Sequence, residues 1–132
     1  LQATRVYGMY YSNDADYAEA YEVEGEIEPG ELVMICPDGT LRKNTIQENH
    51  RVLGIVSGSP AGQRDGYALP ADDGGRVPVK AVGRVFPGDF LVGAGTPGAV
   101  MACGDAPRGA VVAQALAGCE SGGTILARVL RL

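Results

Sequence analysis

The sequence predicts an all-β fold, a compact single domain of two pseudo-repeated β units with Pro-Gly turns, and three observations carry that prediction. The 132 residues include 20 Gly and 8 Pro, a density of turn formers that suits many short strands. Glu26-Ile27-Glu28-Pro29-Gly30-Glu31-Leu32-Val33 is echoed by Arg84-Val85-Phe86-Pro87-Gly88-Asp89-Phe90-Leu91-Val92, with Pro29 falling on Pro87 at an offset of 58. Val77, Val79 and Ala81 alternate with Pro78 and Lys80 in Arg76–Gly83, and Ile125, Ala127 and Val129 alternate with Leu126, Arg128 and Leu130 in Thr124–Leu132, as half-buried strands do.

Taken in order, residues 1–12 carry Val6, Tyr7, Met9, Tyr10 and Tyr11 with little charge, and five of the six tyrosines lie within the first 21 residues. Tyrosine buries a large ring while keeping its hydroxyl hydrogen-bonded, so this end suits either a subunit contact or a cover over the domain's own core. From Tyr17 to Val23 the positions Tyr17, Glu19, Tyr21 and Val23 alternate as a strand, although Tyr17, Ala20 and Tyr21 also fit a helical turn. The segment is short and runs into Gly25 and Pro29-Gly30, which favours the strand.

Each half then reads strand, Pro-Gly turn, strand, Gly turn, strand, and a buried apolar strand ending in Gly. Pro37-Asp38-Gly39-Thr40-Leu41 is answered by Thr96-Pro97-Gly98-Ala99-Val100. Val52-Leu53-Gly54-Ile55-Val56-Ser57-Gly58 is answered by the run from Val111 to Gly118. Pro sets φ at the first turn corner and the following Gly takes the positive φ of a type II turn. Residues 63–75 are polar and rich in Gly and Asp, and read as a long loop. Val77, Val79 and Ala81 alternate with Pro78 and Lys80 as an edge-proximal strand, since Pro cannot donate to a ladder. The predicted core comprises Val33, Ile35, Leu53, Ile55, Val79, Leu91, Val111, Ile125 and Val129.

Composition excludes several function classes. The formal charge is −5, the isoelectric point is about 4.8 and there is no Lys/Arg run, so a nucleic-acid backbone would be repelled. No apolar run approaches the roughly 20 residues of a membrane-spanning helix, and no membrane partner is expected. Leu1-Gln2-Ala3-Thr4-Arg5 has no signal-peptide pattern, and the absence of an initial Met suggests a fragment of a longer protein. Cys36, Cys103 and Cys119 form no CxxC pair, so free thiols are expected in place of zinc or a disulfide framework. No cofactor and no metal are predicted. His50 stands alone, which rules out a His-based triad within one chain and points to a surface turn. Gly93-Ala94-Gly95-Thr96-Pro97-Gly98 lacks the Lys of a phosphate loop and reads as a hairpin turn. Asp65, Asp72 and Asp73 lack EF-hand spacing and read as a solvated loop.

The densest chemistry lies in Tyr11-Ser12-Asn13-Asp14-Ala15-Asp16-Tyr17-Ala18-Glu19-Ala20-Tyr21-Glu22. Asp14, Asp16, Glu19 and Glu22 fall within ten residues of the Ser12-Asn13 peptide. A carboxylate near a peptide carbonyl can activate water or attack directly. The same residues also make a turn followed by a solvated acidic strand.

Ser12-Asn13-Asp14-Ala15-Asp16-Tyr17-Ala18-Glu19, Gly39-Thr40-Leu41-Arg42-Lys43 and Val52-Leu53-Gly54-Ile55-Val56-Ser57-Gly58-Ser59-Pro60 together resemble the C-terminal intramolecular-chaperone autocleavage domain of phage tailspike and neck-appendage proteins. The resemblance covers roughly residues 12–60. Related domains that end some bacterial surface proteins share the strand pattern of residues 76–132. It implies an upstream stalk end or pre-cleavage segment in residues 1–12 and a β-rich chaperone-like domain in 13–132. It further implies a homotrimer attached to the fibre or stalk of the same protein, folded in the host cytoplasm and delivered to a virion tail or a cell-surface fibre. The cut would fall between Ser12 and Asn13, with Asp16 as the acidic catalytic residue and Glu19 as a second candidate, in a single-turnover autoproteolytic step. The Ala/Gly-rich, short second half departs from the phage pattern. The alternative is therefore a non-cleaving structural fibre-tip or decoration module of a virion or bacterial surface protein.

Overall fold

A computed structural model describes residues 21–56, 63–64, 67–68 and 74–130. Among them the chain is all-β, with strands β1 (Tyr21–Glu22), β2 (Leu32–Ile35), β3 (Leu41–Lys43), β4 (Val52–Ile55), β5 (Gln63–Arg64), β6 (Tyr67–Ala68), β7 (Arg76–Ala81), β8 (Phe90–Gly93), β9 (Val100–Ala102), β10 (Val111–Ala115) and β11 (Gly123–Val129). A 3-10 turn at Arg108–Ala110 leads into β10. The C-terminal half closes into a barrel in the order β10-β11-β7-β9-β8, while the N-terminal half forms a β3-β2-β4 sheet and a small β1-β6-β5 sheet. Barrel pairings are antiparallel apart from β7 with β9, which meet in parallel at Ala81 and Val100.

Several backbone hydrogen bonds recur at corresponding places in the two halves. Asn44 N donates to Leu32 O at 2.9 Å, and Cys103 N to Phe90 O at 3.0 Å. Gly30 N donates to Val56 O as Gly88 N does to Ala115 O, and Glu24 N to Leu41 O as Val82 N does to Val100 O. The partners are 58 residues apart before the β2–β3 connection and 59 after it, because Cys36–Thr40 is answered by the longer Ala94–Ala99. Ahead of β2 and of β8 the chain reverses at Pro29-Gly30 and at Pro87-Gly88. Glu31 N bonds Glu28 O at 3.2 Å and Asp89 N bonds Phe86 O at 3.0 Å, with φ of 87 at Gly30 and 95 at Gly88, the geometry of type II turns.

The main apolar cluster fills the barrel with Val79, Leu91, Val100, Ala113, Ile125, Ala127 and Val129 and takes in Leu32 and Ile55 from the N-terminal sheet. Ile27, Val33, Leu41 and Val56 form a second cluster on the other side of that sheet. β2 is thus covered on both faces along Leu32, Val33 and Met34, which is why an uninterrupted apolar run occupies it.

Several expectations are corrected. Ile35 is exposed: it shares a face with Val33 by the two-residue period, but the four-residue cluster under that face does not extend to the end of the strand. Leu53 and Val111 are half-buried instead of buried, because they line a cleft between the N-terminal sheet and the barrel. The expected loop at 63–75 contains the β5–β6 hairpin, in which Gln63 pairs with Ala68 and Arg64 with Tyr67. β7 is an internal barrel strand, not an edge one. Lys80 N donates to Gly30 O on the side away from β11, so the alternation of the ladder turns the nitrogen of Pro78 to that same side. The missing N–H therefore costs β11 no bond.

Candidate functional site

Ser12, Asn13, Asp16 and Glu19 lie outside the described residues, as do residues 1–20 with their tyrosines, apart from Tyr21 at the start of β1. β1 begins two residues after Glu19. It pairs with β6 through Tyr21 with Ala68 and Glu22 with Tyr67, and the next residue, Val23, forms a parallel bridge with Leu41. Glu24 N then donates to Leu41 O at 2.7 Å. The acidic segment is thereby continuous with a backbone fixed from two sides.

Where the two halves meet, the described residues gather a charged cluster. Glu31 follows the Pro-Gly turn and is nearly inaccessible, at 3% exposure. Its Oε1 accepts from Glu28 N at 2.8 Å. Its Oε2 faces Lys43 Nζ at 3.4 Å and Lys80 Nζ at 3.1 Å. Lys80 also bonds Glu28 Oε1 at 2.5 Å, and this bond raises the Lys80 pKa and holds the Glu28 carboxyl below its ordinary value. Gly98 makes room for the cluster, since a Cβ there would stand 3.0 Å from Glu31 Cδ. Both Glu31 oxygens are engaged, and the group joins the halves.

Beside it, Asn44 is fully buried. Its amide nitrogen donates to Ile46 O at 2.9 Å and Ala94 O at 3.3 Å, and its oxygen accepts from Asn49 Nδ2 at 2.9 Å. Asn49 Oδ1 accepts from Arg51 N at 2.9 Å. A Cβ at Gly93 would come within 2.5 Å of Asn44 Nδ2, so the small residue at the end of β8 admits the amide. Buried amides satisfied in this way fix the orientation of one half on the other.

A cleft of about 310 Å³ opens between the halves, lined by His50, Val52, Leu53, Gly109, Val111 and Leu130 among others. Among the described residues its lining combines aliphatic side chains with exposed polar atoms, and His50 is the one titratable side chain. Cys36 is buried, Cys103 and Cys119 are half-buried, and all three are free thiols. Partial desolvation pushes the Cys103 thiol up, away from the thiolate form that a nucleophile needs. Among the described residues no three His, Cys, Asp or Glu side chains are grouped to hold a metal ion.

Compared with protein-family models and with curated proteins, the chain matches none.

The sequence pointed to the acidic stretch before β1 and missed Glu31, Lys43, Asn44 and Lys80. Glu31 did carry a signal. It occupies the place that Asp89 takes after the second Pro-Gly turn, where Asp89 Oδ2 accepts from Phe86 N at 2.8 Å. The carboxylate in that position caps the turn in both halves. The extra methylene of Glu31 lets it serve the cap and two lysines together, and only the docking of the halves brings Lys80 within reach.

Proposed function

We propose that this chain is the C-terminal intramolecular chaperone and trimerisation module of a phage tail fibre or tailspike-like protein, and that it releases itself by hydrolysing the Ser12-Asn13 peptide. The observation that carries the reading is the Ser12–Glu19 motif standing immediately before β1, together with the Gly54-Ile55-Val56 string. Ile55 of that string is fully buried in the cluster shared by the two halves. A cut coupled to folding needs its scissile segment tied to a strand that forms only with the domain, and the continuity of residues 12–20 with β1 supports that coupling. Tethering a carboxylate three residues from the bond supplies a large effective concentration. Water would add across Ser12-Asn13, with Asp16 as base or nucleophile and Glu19 assisting, leaving a carboxylate on Ser12 and a new amino terminus on Asn13.

The test is the mass of the folded protein produced with its upstream fibre segment. Wild type is expected to yield a product beginning Asn13-Asp14-Ala15-Asp16, and Asp16→Asn to stay full-length with an unchanged circular dichroism spectrum and melting midpoint. Glu19→Gln is expected to slow the cut. Folded, trimeric wild type that remains full-length for days would remove the peptidase and leave the non-cleaving fibre-tip reading standing.

A further inference from the structure

We propose that copies of this chain join head to tail by repeating, between chains, the contact that joins the two halves within one: Phe90 and Phe86 of one copy seat on Ile35 and the 36–40 turn of another. The contact is independent of the fibre reading and of any cut at Ser12-Asn13, because all its residues lie beyond that bond.

The halves are two versions of one structural unit. Val23 bridges Leu41 in parallel as Ala81 does Val100, Tyr21 pairs with Ala68 as Val79 does with Ile125, and Leu32 pairs with Ile55 as Phe90 does with Gln114. The smaller apolar cluster of Ile27, Val33, Leu41 and Val56 falls residue for residue on Val85, Leu91, Val100 and Ala115 of the barrel core. The first half therefore turns one face of β2 and β4 to its own core. The other face, carrying Leu32 and Ile55, is buried in the cluster of the second half. It meets one end of the barrel, where Lys80 N donates to Gly30 O, Leu32 N donates to Gly98 O, and a Cβ on Gly93 would stand 3.1 Å from Leu32 Cδ2.

In the second half the corresponding face is uncovered. Phe90 stands in the place of Leu32 and Phe86 in that of Glu28, yet Phe90 is 46% exposed and Phe86 55%, where Leu32 is fully buried. The outer face of a terminal unit in a repeated architecture is polar when nothing follows it, and an apolar one marks a place for a further unit. The first half presents the matching surface. Gly93 and Gly98, which receive Leu32 and Glu31, correspond to Ile35 and Gly39; Ile35 is 41% exposed and Gly39 stands in open space. The side chains are exchanged in a complementary sense. Within the chain the buried Asn44 amide fits against Gly93, whose Cβ would come within 2.5 Å of Asn44 Nδ2. Between chains the smaller Cys103, at the place of Asn44, meets the larger Ile35, at the place of Gly93, so volume removed on one side is returned on the other. The two surfaces are unlike and sit on different halves, which makes the contact heterologous and lets one copy engage two neighbours.

Sedimentation velocity of the full 132-residue chain from micromolar to submillimolar concentration tests the contact, and wild type is expected to associate as concentration rises. Ile35→Asp and Phe90→Asp each remove one surface and leave the other. Both positions are exposed, so the circular dichroism spectrum is expected to stay as in wild type. Each variant alone is expected to associate more than tenfold more weakly than wild type. An equimolar mixture of the two is expected to form a one-to-one dimer and nothing larger, since Phe90 of the Ile35→Asp chain still meets Ile35 of the Phe90→Asp chain. Monomeric wild type, or a mixture no more associated than its components, would overturn the contact. An Ile35→Asp chain that associates like wild type would overturn it too, by showing that the Phe90 surface pairs with itself. Mass spectrometry of the same samples reads the Ser12-Asn13 bond separately: an intact chain that passes the mixing test removes the peptidase and retains the contact.

Discussion

Gly30 is held at φ 87, and a Cβ on it would stand 2.8 Å from the carbonyl oxygen of Pro78. Gly39 has nearly the same φ, 89, in open space. The pair separates two costs that the sequence merges into one glycine preference. Gly39→Ala is expected to cost about 1 kcal/mol for the left-handed backbone alone. Gly30→Ala must in addition push the Pro-Gly turn off the barrel and disturb the Lys80 N to Gly30 O bond, and about 2 to 4 kcal/mol is expected. Urea denaturation of the two variants checks the difference, and equal midpoints would show that the close approach does not hold. Asp38, one residue before Gly39, accepts from the Thr40 hydroxyl at 2.7 Å and from Thr40 N at 3.1 Å, which shapes the β2–β3 turn independently of the junction.

At the scale of strands, β4 shows how one segment serves two surfaces. Val52 packs against the barrel cluster and Ile55 is fully buried in it, whereas Leu53 packs at the margin of the smaller cluster and lines the cleft beside His50. Ile55→Ala is therefore expected to cost about 2 to 5 kcal/mol through the cavity it leaves. Leu53→Ala is expected to cost about 1 to 2 kcal/mol, since part of its surface is wet before the change. Thermal melting of both variants checks the order, and a Leu53 variant less stable than the Ile55 variant would refute this account of β4. The same strand explains why alternation alone misjudged burial: β2 and β4 lie between the barrel and a small second cluster, so successive residues meet different coverings.

For the molecule as a whole, the docking of the halves is tied to charge and therefore to pH. The Glu28 carboxyl is held below its ordinary 4.5, first by its bond from Lys80. Its contribution is thus present above about pH 4.5 and lost as pH falls through the depressed folded value. The Asp38 carboxyl, lowered from 3.8 chiefly by the Thr40 hydroxyl, acts in the same direction. Lys80 is raised above 10.5, first by Glu28 and then by Glu31, so its contribution is complete below 10.5 and lost as pH rises through the elevated folded value. The urea midpoint is expected to be flat around neutrality and to fall at both extremes. In Glu28→Gln the acid-side fall should shrink, and an acid limb identical to that of wild type would show that this bond does not report on folding. Exposure of Glu28 and Lys80 keeps the effect small.

The sequence by itself determined the all-β class, the two Pro-Gly reversals and the outward and inward faces of β11, where Ile125, Ala127 and Val129 are buried and Leu126 and Arg128 exposed. These follow from local chemistry: Pro and Gly restrict or free φ, and a period of two assigns faces wherever a strand has one dry side. The 58-residue echo in sequence is also the offset, 58 or 59, at which backbone hydrogen bonds correspond. Tertiary structure alone decided that β7 is internal despite Pro78, that Ile35 is exposed, and that Glu31 lies between Lys43 and Lys80. Each depends on which surface of one half meets the other. Lys80 is 49 residues from Glu31 in the chain, and no local preference specifies the fold that brings them to 3.1 Å.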